Sequence, residues 1–287
     1  MLFFDSEEFE LITDHYLEHG NMNAAKKAIE IGLEQHPSSI EIKLYLVEIY
    51  LIENKLEQAS DLLDMLYELD KSNENIYLQK ASVYARKNAR EKAIKLYKYA
   101  LNYTDDPAEI WFNIGSEYMM MDKYKEALDA FIKCIKIDSE HYPALHNIMY
   151  SYDLLEEYDE ALDFIKNFTK ANPYNAEAWK LKGEVYMLLE RYEEAITAYD
   201  FALLCEPKFV GALLEKGKVL EALGRYEDAI ANYLLTLKLE DPSTYALIRA
   251  GKCYEKLNQY EKALDLYSRS IAIDTLLDKA WIAIIDL

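Results

Sequence analysis

Three stretches of the sequence decide the fold: ERYEEAITAYDFAL (residues 190–203), GRYEDAIANYLLTL (residues 224–237) and NQYEKALDLYSRSI (residues 258–271). They begin 34 residues apart and share tyrosine, glutamate and alanine at their third, fourth and sixth residues. A fixed period of this length is typical of architectures that stack one small unit many times. Counted from Ser6, the period divides residues 6–277 into eight units without insertion or deletion: 6–39, 40–73, 74–107, 108–141, 142–175, 176–209, 210–243 and 244–277.

Four places of the unit hold one kind of residue through most of the chain. The twentieth place is alanine in all eight units, and the eleventh is tyrosine in all except the seventh unit, which has Leu220. The eighth is glycine or alanine in five units, whereas Thr13, Val47 and Met149 depart from this pattern. The fifteenth favours residues that tolerate a left-handed turn, namely Gly20, Asn54, Asn88, Asp122, Gly224 and Asn258.

Apolar residues recur at spacings of three and four on both sides of the fifteenth place, which predicts two amphipathic helices joined by a tight turn. We expect the small eighth residue to face the alanine of the second helix, so that the two backbones approach closely. The tyrosines are expected to fill the space between one helix pair and the next. Because a single pair cannot bury both of its faces, the units must stack.

These features resemble the tetratricopeptide repeat family. Trp111 and Trp179 match the motif's tryptophan near the start of the first helix, and Pro37, Pro173 and Pro207 lie near unit ends. The resemblance covers residues 6–277. It implies an all-α fold, a right-handed α-α superhelix (solenoid) of eight 34-residue helix-turn-helix repeats plus a C-terminal helix. Residues 278–287 would form that terminal helix or begin a ninth repeat.

Composition narrows the range of functions. The chain has 287 residues, 32 basic against 52 acidic side chains and a net charge of −20, so its surface repels phosphate backbones and anionic lipids. No nucleic-acid or membrane partner is therefore expected. The three cysteines, Cys134, Cys205 and Cys253, form no CxxC pair, which favours buried thiols in a cytoplasmic protein. No phosphate-binding loop or nucleophile motif occurs, and neither a cofactor nor enzymatic activity is expected.

One stretch, DHYLEHG, resembles the inverted HxxEH zinc signature because His15 and His19 are four residues apart with Glu18 between them. The two histidines fall on places that other units fill with packing residues such as Val185 and Leu189. A zinc site would also need a third ligand and an open position. The sequence therefore favours packing roles, and no metal is expected.

The family resemblance implies that the first helices line a concave surface on which peptides lie. The inward positions would be the second, fifth, sixth, ninth, twelfth and thirteenth places, which do not repeat from unit to unit here. An idle solvated surface would vary in the same way. The residues that we expect to form a peptide-binding groove are Phe112, Asn113, Ser116, Met119, His146, Asn147, Tyr150, Lys180 and Arg249.

Charge on the inward places changes along the chain. The charged residues at these places in the first two units are all acidic, which predicts that a basic segment of the partner lies toward repeats 1 and 2. The seventh and eighth units are weakly basic, with Arg249 among lysines and glutamates. The two-carboxylate clamp that binds chaperone tails in one subtype of the family needs cations that no triplet of units around Asn113 and Asn147 supplies. That mode of binding is not expected.

The stretch DKAWIAIIDL, residues 278–287, is too apolar for an ordinary terminal cap. Two explanations stand: the chain is part of a longer array, or this end is covered by end-to-end self-association. The function expected from the sequence is a non-catalytic protein-interaction scaffold that binds a peptide or partner protein in the concave groove. The alternative is a regulatory or targeting array of a larger protein with an effector domain beyond residue 287.

Overall fold

Seventeen helices account for most of the chain in a computed structural model that describes residues 4–239, 244–275, 278–285 and 287. No strand occurs among these residues. The chain divides into two compact units, Met1–Ser151 and Tyr152–Leu287, and the division falls within α9. The prediction of an all-α fold built from helical repeats is confirmed. The predicted repeat ends at residues 243 and 277 lie outside the described residues.

The first unit contains eight complete helices and most of a ninth. They are α1 (Ser6–Glu18), α2 (Met22–Gln35), α3 (Ile40–Ile52), α4 (Leu56–Leu69), α5 (Glu74–Arg86), α6 (Arg90–Ala100), α7 (Ala108–Met119), α8 (Tyr124–Ile137) and α9 (Tyr142–Leu155). From α1 to α8, each helix packs on the next, and α1, α3 and α5 also contact one another in sequence. α1, α3 and α5 therefore share a surface, and the odd-numbered helices are called first helices below.

The second unit continues the alternation. Its helices after the end of α9 are α10 (Tyr158–Ala171), α11 (Ala176–Leu188), α12 (Tyr192–Cys205), α13 (Val210–Ala222), α14 (Tyr226–Leu239), α15 (Thr244–Lys256), α16 (Tyr260–Ile273) and α17 (Asp278–Ile285). Each packs on the next, and first helices contact one another in the pairs α11–α13 and α15–α17. None of the helices in the described part of the chain is long and apolar enough to cross a membrane.

The turn inside each helix pair is closed by a left-handed residue at the fifteenth place. All eight of these residues have positive φ, from 55° to 71°, including Glu156 and Glu190, which the sequence pattern did not indicate. The next residue donates its backbone N–H to the carbonyl at the eleventh place; Arg191 to Tyr186, for example, measures 2.8 Å. This is the hydrogen bond of a Schellman motif, and it requires the left-handed conformation before it.

Replacing Glu190 by glycine tests the strain of that conformation. A left-handed non-glycine residue costs about 1–2 kcal/mol. Glycine removes this strain, but it also raises the conformational entropy of the unfolded chain, which offsets part of the gain. We expect Glu190→Gly to raise the free energy of unfolding by about 0.5–1 kcal/mol in urea titrations. The matched control is Gly224→Ala, which introduces the strain at the equivalent turn and should lower stability. Equal stability of both variants would contradict the argument.

The alanines of the twentieth place are buried in every repeat, with exposed fractions of 0–2%. The eighth-place glycines do not have them as nearest neighbours, however. A Cβ added at Gly183 would lie 2.5 Å from the ring of Tyr199, and Gly115, Gly217 and Gly251 face rings in the same way. We expected the alanine to face the eighth residue, but the atoms nearest to these glycines belong to the aromatic ring at the twenty-fourth place, which fills the space left by the missing side chain.

Residue size at these two places is complementary. Where the eighth place is glycine, the twenty-fourth is a buried aromatic, as in Gly183 with Tyr199; where the eighth is Val47, the twenty-fourth is the smaller Leu63. Interiors pack at nearly crystalline density, so a large ring at the twenty-fourth place requires a very small residue at the eighth.

Gly183→Val should therefore lower the free energy of unfolding by about 2–3 kcal/mol, the range for inserting methyl groups into a packed core. Adding Tyr199→Leu should recover at least half of that loss, because the double variant reproduces the Val47–Leu63 combination of the second repeat. The measurement is a double-mutant cycle by urea denaturation. Additive losses from the two substitutions would exclude direct packing between these places.

Candidate functional site: the surface of the first helices

The predicted groove residues of the first unit lie on α7 and α9, which are neighbours. The Ser151 hydroxyl on α9 donates to the Asn147 carbonyl at 2.6 Å, and its oxygen lies 3.4 Å from the sulfur of Met119 on α7. The ring of Phe112 lies 5.7 Å from that of Phe131 and 4.7 Å from that of His141, just before α9. Phe112 and Met119 are half-buried. They therefore support the surface between the two helices and expose only part of their side chains.

Four other predicted residues of this surface are exposed or half-exposed. Tyr150 is 53% exposed, His146 is exposed, and Asn113 and Asn147 are half-exposed at equivalent places of α7 and α9. Ser116 differs, because its hydroxyl already donates to the Phe112 carbonyl at 3.0 Å. The two asparagines can donate and accept hydrogen bonds, which suits them to the backbone of an extended peptide.

An acidic pocket of about 310 Å³ lies on α1, α3 and α5 of the same unit. It is lined by Glu10, Asp14, Glu41, Leu44, Tyr45, Glu48, Asn75 and Gln79. The Tyr45 hydroxyl donates to Asp14 at 2.8 Å. Gln79 donates its amide to the Leu44 carbonyl, while its Oε1 is buried with no donor among the described residues.

Two carboxyls of this pocket have raised pKa values. For Glu48 the main cause is burial, followed by the charge of Asp14; for Glu10 burial is followed by repulsion from Glu41 and other acids. A raised pKa means that the ionised form is less stable in the folded protein than in the unfolded chain. The pocket thus stores electrostatic repulsion that a cation would relieve.

In the second unit, Arg249 lies in the wall of a larger pocket of about 790 Å³ on the surface of α13, α15 and α17. Five cationic and two acidic side chains line it with apolar ones: Lys218, Arg249, Lys252, Lys256, Lys279, Glu221, Glu255, Ala222, Tyr226, Tyr260, Ile282, Ala283 and Leu287. Arg249 forms an ion pair with Glu221 at 2.7 Å, and its Nε is buried without an acceptor in the described chain. Local positive charge thus accumulates within a strongly acidic protein.

Lys180 has a different environment from that expected. Its side chain is 14% exposed and contacts Glu177 at 2.6 Å and Glu184 at 3.2 Å. Its charge is therefore already compensated within the second unit, and its ammonium lies 6.0 Å from the Phe209 ring. The two carboxylates fix the position of the Lys180 ammonium. Arg249, which lines the basic pocket, is therefore the better candidate for contacting a partner.

Sequence reasoning missed Lys279, Tyr45, Asn75 and Gln79. Lys279 precedes a run of apolar residues that we interpreted only as an exposed end, yet α17 packs on α15 and α16 and adds this lysine to the pocket of the second unit. Trp281, Ile282 and Ile285 remain 48–79% exposed. End-to-end self-association through residues 278–287 stays a prediction.

The histidine pair of α1 is arranged as neighbouring aromatic rings. The ring centroids of His15 and His19 are 4.3 Å apart, and Nδ1 of His19 lies 2.7 Å from the His15 carbonyl oxygen. Across the described residues, no group of three or more histidine, cysteine or acidic side chains is arranged to hold a metal ion.

Comparison with known proteins identifies the repeat. A family model described as tetratricopeptide repeat matches residues 108–141 and 176–209, and a second model with the same description matches residues 212–276. No curated protein sequence matches the chain significantly. The chain is a member of the tetratricopeptide repeat family. Such repeats generally mediate protein–protein interactions, and the proteins that contain them are typically non-catalytic.

Two solved structures are similar to it. One is the MamA protein, which is 20% identical, with a TM-score of 0.49 over 59% of this chain and 92% of that chain. Another is a tetratricopeptide repeat protein from Parabacteroides merdae, which is 16% identical, with a TM-score of 0.49 over 86% of this chain and 98% of that chain.

The acidic pocket predicts a stability gain on neutralisation. Because the pKa of Glu48 is raised on folding, its charge lowers stability at pH values above the raised pKa, and this loss disappears well below the ordinary value of 4.5. Glu48→Gln should therefore increase the free energy of unfolding at pH 7, with the gain shrinking as the pH falls. Urea titrations at several pH values measure it. The exposed Glu18→Gln controls for lowering the net charge; an equal gain there would refute the local cause.

Proposed function

We propose that this protein is a non-catalytic scaffold that binds a peptide or a segment of a partner protein along the first helices. The observation that carries the proposal is the opposite charge of two pockets on those helices, one acidic on α1, α3 and α5 and one basic on α13, α15 and α17. Packing places repeat with strict regularity, whereas the pocket residues do not. This difference is typical of surfaces that recognise a particular partner.

The acidic pocket would receive a lysine or arginine side chain. Its carboxylates carry repulsion that a cation removes, and the buried Oε1 of Gln79 offers an additional acceptor. A basic segment of the partner would therefore lie on the first two repeats. The cations around Arg249 would receive acidic side chains of the partner in the second unit.

The surface of α7 and α9 supplies contacts that depend less on charge. Asn113 and Asn147 would bond the peptide backbone, while Tyr150 and the exposed parts of Phe112 and Met119 would contact its side chains. Asparagine amides suit an extended peptide because the N–H and C=O groups of its backbone recur at regular intervals and are present in any sequence.

Substituting both asparagines tests the proposal. Asn113→Ala with Asn147→Ala should weaken capture of a partner from native lysate by about 5- to 150-fold, because each lost hydrogen bond contributes roughly 0.5–1.5 kcal/mol. The melting temperature should not change, since both side chains are at the surface. A pull-down quantified by mass spectrometry measures the loss.

The matched control is Asn167→Ala with Asn232→Ala, which removes one exposed and one half-exposed amide from the second helices α10 and α14. Capture should survive in this variant. Undiminished capture by the Asn113/Asn147 variant would show that α7 and α9 do not hold the partner.

A further inference from the structure

A second pocket in the first unit lies away from the groove, among α4, α5 and α6. Its volume is about 520 Å³, and its lining consists of tyrosines, lysines and one leucine: Tyr67, Tyr77, Tyr84, Tyr99, Lys80, Lys92, Lys95 and Leu96. The residues contributed by α5 occupy the fourth, seventh and eleventh places. At 100° per residue these lie on the side of the helix opposite to the groove places. The function proposed above does not use this surface.

The aromatic rings form a connected group that ends at the surface. Tyr77 is buried and contacts Tyr67 edge-to-face at 5.8 Å between centroids, stacks on Tyr103 at 5.5 Å and lies 6.2 Å from Tyr99. Tyr99 and Tyr103 are 59% and 46% exposed. An incoming ring could extend this group with the offset or edge-to-face geometry that aromatic pairs prefer.

Positive charge is concentrated around the same pocket. Its lining contains three lysines and no acidic side chain, although the whole chain has a net charge of −20. Lys80 forms an ion pair with Asp64 at 2.6 Å. Lys92 lies 5.4 Å from the centre of the Tyr84 ring and has no carboxylate within ion-pair distance in the described residues, and the same holds for the exposed Lys95.

We propose that this pocket binds a short acidic peptide segment of a partner protein that carries an aromatic side chain. The aromatic side chain enters among Tyr67, Tyr77 and Tyr99, and flanking carboxylates bind Lys92 and Lys95. A long polyanion or an anionic membrane fits less well, because the negative charge of the rest of the chain repels an extended anionic surface. A short segment avoids most of that repulsion. The site is independent of the groove on the first helices.

An NMR titration with synthetic peptides tests this assignment on the full chain. The probe is Glu-Glu-Phe-Glu-Glu, and the comparison peptides are Lys-Lys-Phe-Lys-Lys and Glu-Glu-Gly-Glu-Glu. The protein carries Arg249→Gln to weaken competing binding in the basic pocket of the second unit. We expect saturable shifts of amide signals in α5 and α6 with the first peptide, weaker binding of the glycine peptide and none of the lysine peptide.

Lys92→Gln with Lys95→Gln should weaken binding of the probe peptide by about two- to thirty-fold, the range for two exposed charge pairs. The control, Lys136→Gln with Lys208→Gln, removes the same charge from exposed positions outside the pocket. Equal binding by both variants, or binding of the lysine peptide, would overturn the proposal. So would shifts in α5 and α6 that appear with phosphatidylserine vesicles or an oligonucleotide but not with the probe.

Discussion

Close packing between the two helices of each pair is the constraint on which the rest of the structure depends. An alanine at the twentieth place leaves no side chain beyond its Cβ, and a glycine at the eighth place leaves room for a ring at the twenty-fourth, as Gly183 does for Tyr199. Because this packing recurs along the chain, each pair can dock on the next. The remaining surface of the first helices is free of that constraint and can differ in every repeat.

That freedom explains the distribution of charge. The acids of the first two repeats and the cations around Arg249 occupy places that do not contribute to packing between helices, so their like-charge repulsion lowers stability only modestly. Burial, and after it the neighbouring acids, raise the pKa values of Glu10 and Glu48, so their ionised forms are less stable in the folded protein. Retained repulsion is typical of binding surfaces, where stability is lower than the fold could achieve.

The fold was predictable because periodicity is a property of the sequence itself. The alanines that recur every 34 residues and the turn residues Gly20, Asn54 and Asn88 were sufficient to predict the helix pairs. The left-handed turn at Glu190 was not visible, because glutamate has no preference for that conformation and the Schellman hydrogen bond imposes it. The facing of Gly183 and Tyr199 was also missed: a period shows which places recur, but not which of them oppose one another.

The site was less predictable than the fold. Lys180 and Arg249 look alike in the sequence, yet two carboxylates compensate Lys180 whereas Arg249 lines an open pocket. Such differences depend on which side chains meet across neighbouring helices. Lys279 was missed for the same reason. It lines the pocket because α17 packs on α15, and no local sequence pattern predicts that contact.

The Schellman turns have a consequence for how such a chain can change in length. A hydrogen bond from the sixteenth place to the eleventh closes each turn over a fixed number of residues, so an added residue would break it and tilt one helix against the other. Among the described segments between pairs, residues 36–39, 138–141, 172–175 and 206–209 each have a hydrogen bond from the last residue to the first, whereas residues 70–73 and 101–107 follow other paths. Insertions, loop grafts and epitope tags would therefore be tolerated at those junctions and rejected within the pairs.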